Sequence, residues 1–198
     1  KLDEDKDQSL YGMFKFDRWG YDFQVLGGWM HDDVVVGAGW SGQIKGAGFN
    51  GEATWFHPTE EADADSKDVV IASAGANYTF PSSLYLHTSV IFNSDGTTGK
   101  AFLGNNVLIG RDITVKTLTP SRMEIFAEAA YQVTPLIRAN VAGIINPYDG
   151  SLFVGPSVDI SLTDNIGLLL LGQFFYGDKL TEYGDYGQLA YGRLKWNF

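Results

Sequence analysis

Glu52, Glu124, Glu128, Arg138, Asp159, Arg193 and Lys195 are the side chains of this sequence best placed to act on another molecule. They carry both signs of charge, and each lies in a stretch whose neighbours alternate apolar and polar. Glu124 and Glu128 are separated by an even number of residues, as are Arg193 and Lys195. On extended backbone both members of such a pair project to one side. Opposed carboxylates and cations across a water-filled space create a transverse field that sorts polar solutes. The same residues can instead hold a wall rigid by satisfying one another. Glu128 and Arg138 flank the Thr134-Pro135 turn, which is expected to set them diagonally across two neighbouring strands. Gly28, Gly37, Gly39, Ser41, Ser73, Gly75, Gly155 and Ser157 fall in the same phase. They leave room for water, a solute or a folded-in segment.

Support for enzymatic chemistry is thinner. His87 and Ser89 share a face, with Glu124 or Glu128 on the next strand. His31, Asp32, Asp33 and His57 gather at one end of the pattern. The acidic run Glu60-Glu61-Ala62-Asp63-Ala64-Asp65 offers oxygen ligands for calcium but lacks the glycine and terminal glutamate of an EF-hand. The sequence contains no cysteine, which removes thiol catalysis and cysteine-held zinc. No catalytic, cofactor or metal residue is assigned, and the chain is expected not to be an enzyme. A net charge of −10 argues against nucleic acid as a partner.

The backbone pattern behind these residues has period two. Segments of about ten residues alternate between apolar and polar positions and are separated by turn residues. They predict strands at Ser9–Trp19, Tyr21–Met30, Val34–Ile44, Ala47–His57, Val69–Phe80 and Leu84–Phe92. Further strands are predicted at Met123–Val133, Leu136–Ile145, Ser151–Leu162, Ile166–Tyr176 and Gln188–Phe198. Pro156 cannot donate to a ladder, so a bulge or local break is expected there. Helical periodicity has one possible place, within Ser94–Arg122. The longest apolar runs are about seven residues, whereas a membrane helix needs roughly 18. Connections alternate in length: one set stays at two or three residues, while the other reaches about 30 residues at Asn93–Arg122. In this phase every strand has an apolar side, such as Tyr21, Phe23, Val25 and Trp29. Aromatic residues gather near strand ends, with Trp19, Tyr78, Tyr131 and Trp196 at one end and Trp29, Trp55, Phe92 and Tyr176 at the other.

The last eleven residues, Gln188 to Phe198 (QLAYGRLKWNF), alternate strictly and finish on an aromatic. This ending resembles the sorting and assembly signal of bacterial outer-membrane β-barrel proteins. The resemblance implies an all-β, transmembrane, antiparallel up-and-down β-barrel in the outer membrane of a Gram-negative bacterium. Residues 1–198 would form one barrel domain with the charged residues above lining its lumen. Such barrels have even strand numbers, and an eleventh strand running inward would place Lys1–Gln8 outside. The chain is therefore expected to be the C-terminal part of a larger even-stranded barrel. A miscount at Gly20 or an extra strand within Lys100–Lys116 would also resolve the parity.

Two functions follow from that architecture. One is a porin-like channel that passes small polar solutes through a mixed-charge lumen. The alternative is a plugged or capped structural barrel that anchors or receives a partner protein. Leu169 and Leu171, apolar residues in the polar phase, and the long Asn93–Arg122 connection point to the second. Outer-membrane lipid is the expected surrounding in both, with no cofactor. Within the same group of proteins, His87 and Ser89 with a glutamate are similar to the His-x-Ser and acid of the lipid A deacylases. The motif around them and the spacing to the acid differ. The omptin proteases place carboxylates and a histidine at the rim, but the rest of their pattern is not present here.

Overall fold

A computed structural model describes residues 9–30, 32–59, 66–102 and 114–198. They form one 11-stranded antiparallel sheet in which sequence order and spatial order coincide. The strands are β1 Ser9–Arg18, β2 Tyr21–Met30, β3 Asp33–Ile44, β4 Ala47–Pro58, β5 Val69–Thr79 and β6 Leu84–Asn93. They continue with β7 Met123–Thr134, β8 Ile137–Ile145, β9 Leu152–Thr163, β10 Ile166–Tyr176 and β11 Gln188–Trp196. Every strand predicted from the alternation is present, and boundaries differ by at most two residues. Gly20 sits in a turn between two separate strands, so no strand was miscounted there. The expected helical stretch within Ser94–Arg122 contains, among its described residues, turns and an isolated Thr97–Ser121 bridge.

Tight hairpins at one end result from residues that accept left-handed backbone. Trp19 and Gly20 have φ of 56° and 79°, and Lys45 and Gly46 have 51° and 85°. Positive φ at both central positions is the I′ geometry, whose twist matches that of the flanking strands. At Pro81–Ser83 the turn closes through Ser83 N–H to the Phe80 carbonyl and Phe80 N–H to the Leu84 carbonyl. These connections define a short-turn end. The opposite, long-loop end carries, among the described residues, 59, 66–68, 94–102, 114–122, 146–151 and 177–187.

Register decides which residues share a face, because directly paired residues on antiparallel strands project the same way. Lys15 pairs with Gln24, Gln24 with Gly39, Gly39 with Glu52, Glu52 with Ser73, Ser73 with Ile91 and Ile91 with Glu124. Further along, Glu128 shares its face with Ala142, Arg138 with Asp159, and Leu169 with both Asp159 and Arg193. One face thus collects Lys15, Asp17, Asp22, Asp33, Glu52, Glu124, Glu128, Arg138, Asp159, Arg193 and Lys195. Arg18, at the short-turn end of β1, is the one charged strand residue among the acids, lysines and arginines on the other face.

That other face is apolar from edge to edge. Val25, Trp29, Val36, Trp40, Leu86, Phe92, Val141, Ile145, Leu170 and Leu194 lie on it, and all are exposed. Val36 is 50% and Leu170 46% exposed, though both lie mid-strand. A water-facing sheet with such a surface would far exceed the few hundred Å² of contiguous apolar patch usual on soluble monomers. A shallow depression of about 720 Å³ crosses this face where Ala127, Ala129 and Gly143 sit between Tyr78, Leu86 and Val154. The compact apolar cluster lies on the polar side near the long-loop end, where Val35, Phe56 and Val69 stack across β3, β4 and β5 against Leu26, Met30 and Ile71.

Pro156 produces a local break without a bulge. It stays in register opposite Val141 on β8. On the β10 side the ladder runs from Ser157–Leu171 directly to Val154–Phe174, skipping the intervening pairs without slipping. An imide nitrogen has no hydrogen to donate. Register shifts occur at the turn ends, between Gln132 and Thr134 and between Ile166 and Gly167.

The sheet has two unpaired edges among the described residues. β1 pairs only with β2, and β11 only with β10. Strand parity makes β1 and β11 run in the same direction, from the long-loop end to the short-turn end.

At Gly46 an added Cβ would meet only the Tyr78 ring, at an ordinary 3.6 Å, so the obstacle to a larger residue is its left-handed backbone. Gly46→Val is expected to lower the unfolding free energy by about 1–2 kcal/mol. The urea midpoint measures this, with Lys45→Asn near neutral as the control.

Candidate functional site

Two connected concavities occupy the polar face. One, of about 420 Å³, is bordered by Lys15, Asp17, Asp22, Gln24, Ser41, Asn50 and Glu52. The other, of about 360 Å³, is bordered by Asn50, Glu52, Ser73, Gly75, His87, Ser89, Glu124 and Phe126. Asn50 and Glu52 belong to both, so they form one groove along β1 to β7. Its floor is low because Ser73, Gly75 and Ser89 adjoin each other across β5 and β6. Acidic groups dominate this side of the face, whereas Arg138, Arg193 and Lys195 lie on β8 and β11.

Just beyond the β7 end of the groove, Glu128 accepts a hydrogen bond from Asn140 Nδ2 on Oε1 at 2.6 Å. Its Oε2 lies 3.9 Å from His87 Nδ1. The His87 ring packs on Phe126 with centroids 5.2 Å apart. Glu128 and Arg138 thus lie diagonally on neighbouring strands, four residues apart in register, and Glu128 engages Asn140 rather than Arg138. Arg138 is opposite Gln132 and Asp159, on the short-turn side of Asn140. Ser89 makes no hydrogen bond to His87, so the His-Ser-acid arrangement similar to a deacylase is not assembled. The side-chain amide oxygen of Asn140, Oδ1, is buried without a protein partner among the described residues.

All seven residues expected to line a lumen are on the polar face, but they do not converge on one point. Glu52 and Glu124 border the groove, Glu128 lies just beyond it with His87, and Arg138 pairs across to Asp159. Arg193 is opposite Leu169, and Lys195 opposite Gly167, on the outermost strand. Leu169 and Leu171 do face the polar side, between Asp159 and Arg193 and between Ser157 and Tyr191.

The rim group separates. Asp33 binds Lys116 Nζ at 2.7 Å on the polar face. His57 is on the apolar face, where its Nδ1 lies 2.7 Å from Asp68 Oδ1 and its ring stacks on Trp55. The Asp68 carboxyl is held below its usual range by His57, with the Trp55 indole N–H adding to the effect. His31 and the acidic run Glu60–Asp65 lie outside the described residues. The same holds for most of the apolar patch Ala101–Leu108.

A polar network at the long-loop end was not anticipated. Asn93, Asn146, Ser121, Ser151, Thr181 and Glu182 are all buried there. Asn93 Nδ2 donates to the carbonyls of Lys116 and Thr119, and Lys116 reaches Asp33 on β3. Residues 114–122 thereby cross the polar side from β6 toward β3. From the opposite side, residues 177–187 fold in: Asn146 Nδ2 donates to Glu182 Oε2 at 3.0 Å and Tyr183 Oη to Glu124 Oε2 at 3.2 Å. Asn146, Asp149 and Ser151 belong to a turn sequence, NPYDGS, whose side chains bond their own backbone. Glu182 and Tyr183 carry no comparable signal, since acidic loop residues are usually solvated.

No protein-family model matches this chain, and no curated protein is significantly similar to it.

Asn140 supplies the hydrogen bond that Glu128 receives inside the sheet. Asn140→Leu is expected to cost about 1–3 kcal/mol by leaving that carboxylate unsatisfied. Asn140→Asp should be less stable than Asn140→Leu at neutral pH, and urea unfolding at acid pH should reverse their order.

Proposed function

We propose that the chain is the wall of a bacterial outer-membrane β-barrel that passes small polar solutes along its charged face. One observation carries this reading: across eleven strands, every acid, lysine and arginine except Arg18 at the short-turn end keeps to one face, which leaves a lipid-compatible surface on the other. Lys or Arg on a lipid-exposed face near mid-membrane costs about 2–4 kcal/mol, so confinement of charge to one side answers the demand of hydrocarbon. Tyr78, Tyr131 and Trp196 near the short turns, and Trp29, Trp55, Phe92 and Tyr176 near the long loops, support two interfacial belts. The aromatic-ended terminal strand supports the same location. Because β1 and β11 run in the same direction, antiparallel closure takes an odd number of further strands, in keeping with a larger even-stranded barrel.

The polar groove beside β1 to β7 supports transport of solutes through the interior. Glu52 has no hydrogen-bond or ion-pair partner among the described residues and is free to meet one. A second reading, a capped barrel that receives a partner, is favoured by residues 114–122 and 177–187, which cross the polar side at the long-loop end. In the channel reading these segments narrow one mouth; in the capped reading they close it.

Neighbouring residues on opposite faces provide the test. Ala129→Arg is expected to abolish insertion into lipid vesicles, whereas Glu128→Arg inserts as the unmodified protein does. Equal insertion of both variants would refute the lipid-facing assignment. Planar bilayers holding the assembled barrel should show stepwise conductance. A barrel that inserts but never conducts would reject the channel in favour of the capped structure.

A further inference from the structure

We propose that residues 177–187 are a proton-operated latch, in which the carboxyl of Glu182, held against Glu124 of β7 and Asn146 of the 146–151 loop, keeps this loop across the long-loop mouth and releases it on ionisation. Its consequence for solute passage rests on the channel reading; the latch itself does not.

The geometry ties three elements together at one point. Glu124 accepts from Ser121 Oγ on Oε1 and from Tyr183 Oη on Oε2, both at 3.2 Å. Glu182 accepts from Asn146 on one oxygen. Its backbone N–H donates to Asp149 Oδ2 at 2.8 Å, and the Tyr183 N–H donates to Ser151 Oγ at 3.2 Å. The loop is thus pinned to β7, to the 146–151 turn and, through Phe102 N–H to the Leu180 carbonyl, to the 94–122 segment. Thr181 and Glu182 are 1% and 7% exposed.

Charge around the carboxyl has one sign. Glu124 faces it from β7, and Asp149 from the 146–151 loop. Tyr183 adjoins it on its own loop, where Asp178 and Asp185 also lie. The cations of the packed segments are engaged elsewhere. Lys100 Nζ donates to the Lys179 carbonyl and Arg122 Nε to the Gly96 carbonyl. Lys179 lies on the exposed side of the loop.

Burial, reinforced by the Glu124 charge, pushes the Glu182 carboxyl up to about 8. At neutral pH it keeps its proton and can share it with Glu124. Burial and the same two glutamates push the Tyr183 phenol above its usual value, so it remains a donor throughout. Burial also disfavours the charged form of Asp149, but bonds from the Ser151 hydroxyl and from backbone N–H groups outweigh it. Asp149 therefore stays below the usual carboxylate range and holds the loop backbone as an anion.

The sign follows from linkage. A carboxyl whose latched pKa is raised stabilises the latch fully below the ordinary value of 4.5, and this contribution is lost as pH rises to about 8. Beyond that, two adjoining carboxylates repel, and the loop is expected to open on the alkaline side.

The sequence has no cysteine, so Thr181→Cys introduces a single thiol at a buried loop position. Its labelling by a small maleimide is measured on refolded protein in detergent, with and without Glu182→Gln. Comparing the two at each pH cancels ionisation of the thiol. The neutral amide of Glu182→Gln stands in for the protonated carboxyl, so labelling without that substitution should equal labelling with it near pH 4 and become at least about tenfold faster near pH 9. A ratio that does not change with pH overturns the latch. The infrared band of a protonated carboxyl should vanish from the unmodified protein between pH 6 and pH 9 and be absent from Glu182→Gln over that range. That measurement decides the matter even if Thr181→Cys fails to fold. In planar bilayers, conductance should rise with pH in the unmodified protein and stay flat in Glu182→Gln. A pH-dependent labelling ratio without conductance upholds the latch and rejects the channel. Conductance with an unchanged ratio does the reverse.

Discussion

Confinement of charge to one face is the constraint that orders this molecule. A strand allows only two directions for its side chains, so a one-residue slip would move a whole set of ionic groups onto the apolar side. Each ladder in the sheet avoids that slip. The register shifts that do occur fall beside the turns at Thr134 and Ile166, where a changed side has little consequence. Even Pro156, which interrupts bonding to β10, keeps the count intact on both sides of the gap. Hydrogen bonding is sacrificed locally and facing is preserved.

The two ends of the sheet obey different physics. At the short-turn end, left-handed residues such as Lys45 and Gly46 reverse the chain in the fewest possible steps. At the long-loop end, buried asparagines, serines and carboxylates bond one another across segments distant in sequence. Asn93 ends β6, while Asn146 and Glu182 belong to different loops, yet each satisfies polar groups of a neighbour. Such a network is rigid when complete and sensitive to a single proton when two of its members are glutamates.

Much of this arrangement can be read from the chain because strand alternation is local information. Eleven segments and their turns appear in the order of residues alone, and the pairs Glu124/Glu128 and Arg193/Lys195 reveal their shared face without any knowledge of neighbours. What alternation cannot reveal is which groups of the polar face meet. Glu128 and Arg138 do lie diagonally across two strands, but it is Asn140, set between them by the register, that bonds the carboxylate. The loop network was hidden for a related reason. Glu182 and Tyr183 look like ordinary solvated loop residues until β7 and the NPYDGS turn are brought beside them.

Sequential neighbour pairing has a bearing on how this sheet grows, both in folding and over evolution. Every strand bonds to the one made just before it, so the sheet extends by adding one hairpin to an existing edge, with the 94–122 connection the longest closure. Gain or loss of a hairpin changes the width by two strands and leaves every remaining side chain on its own side. The width of such a sheet is therefore free to vary, while the division between its greasy and ionic surfaces is not.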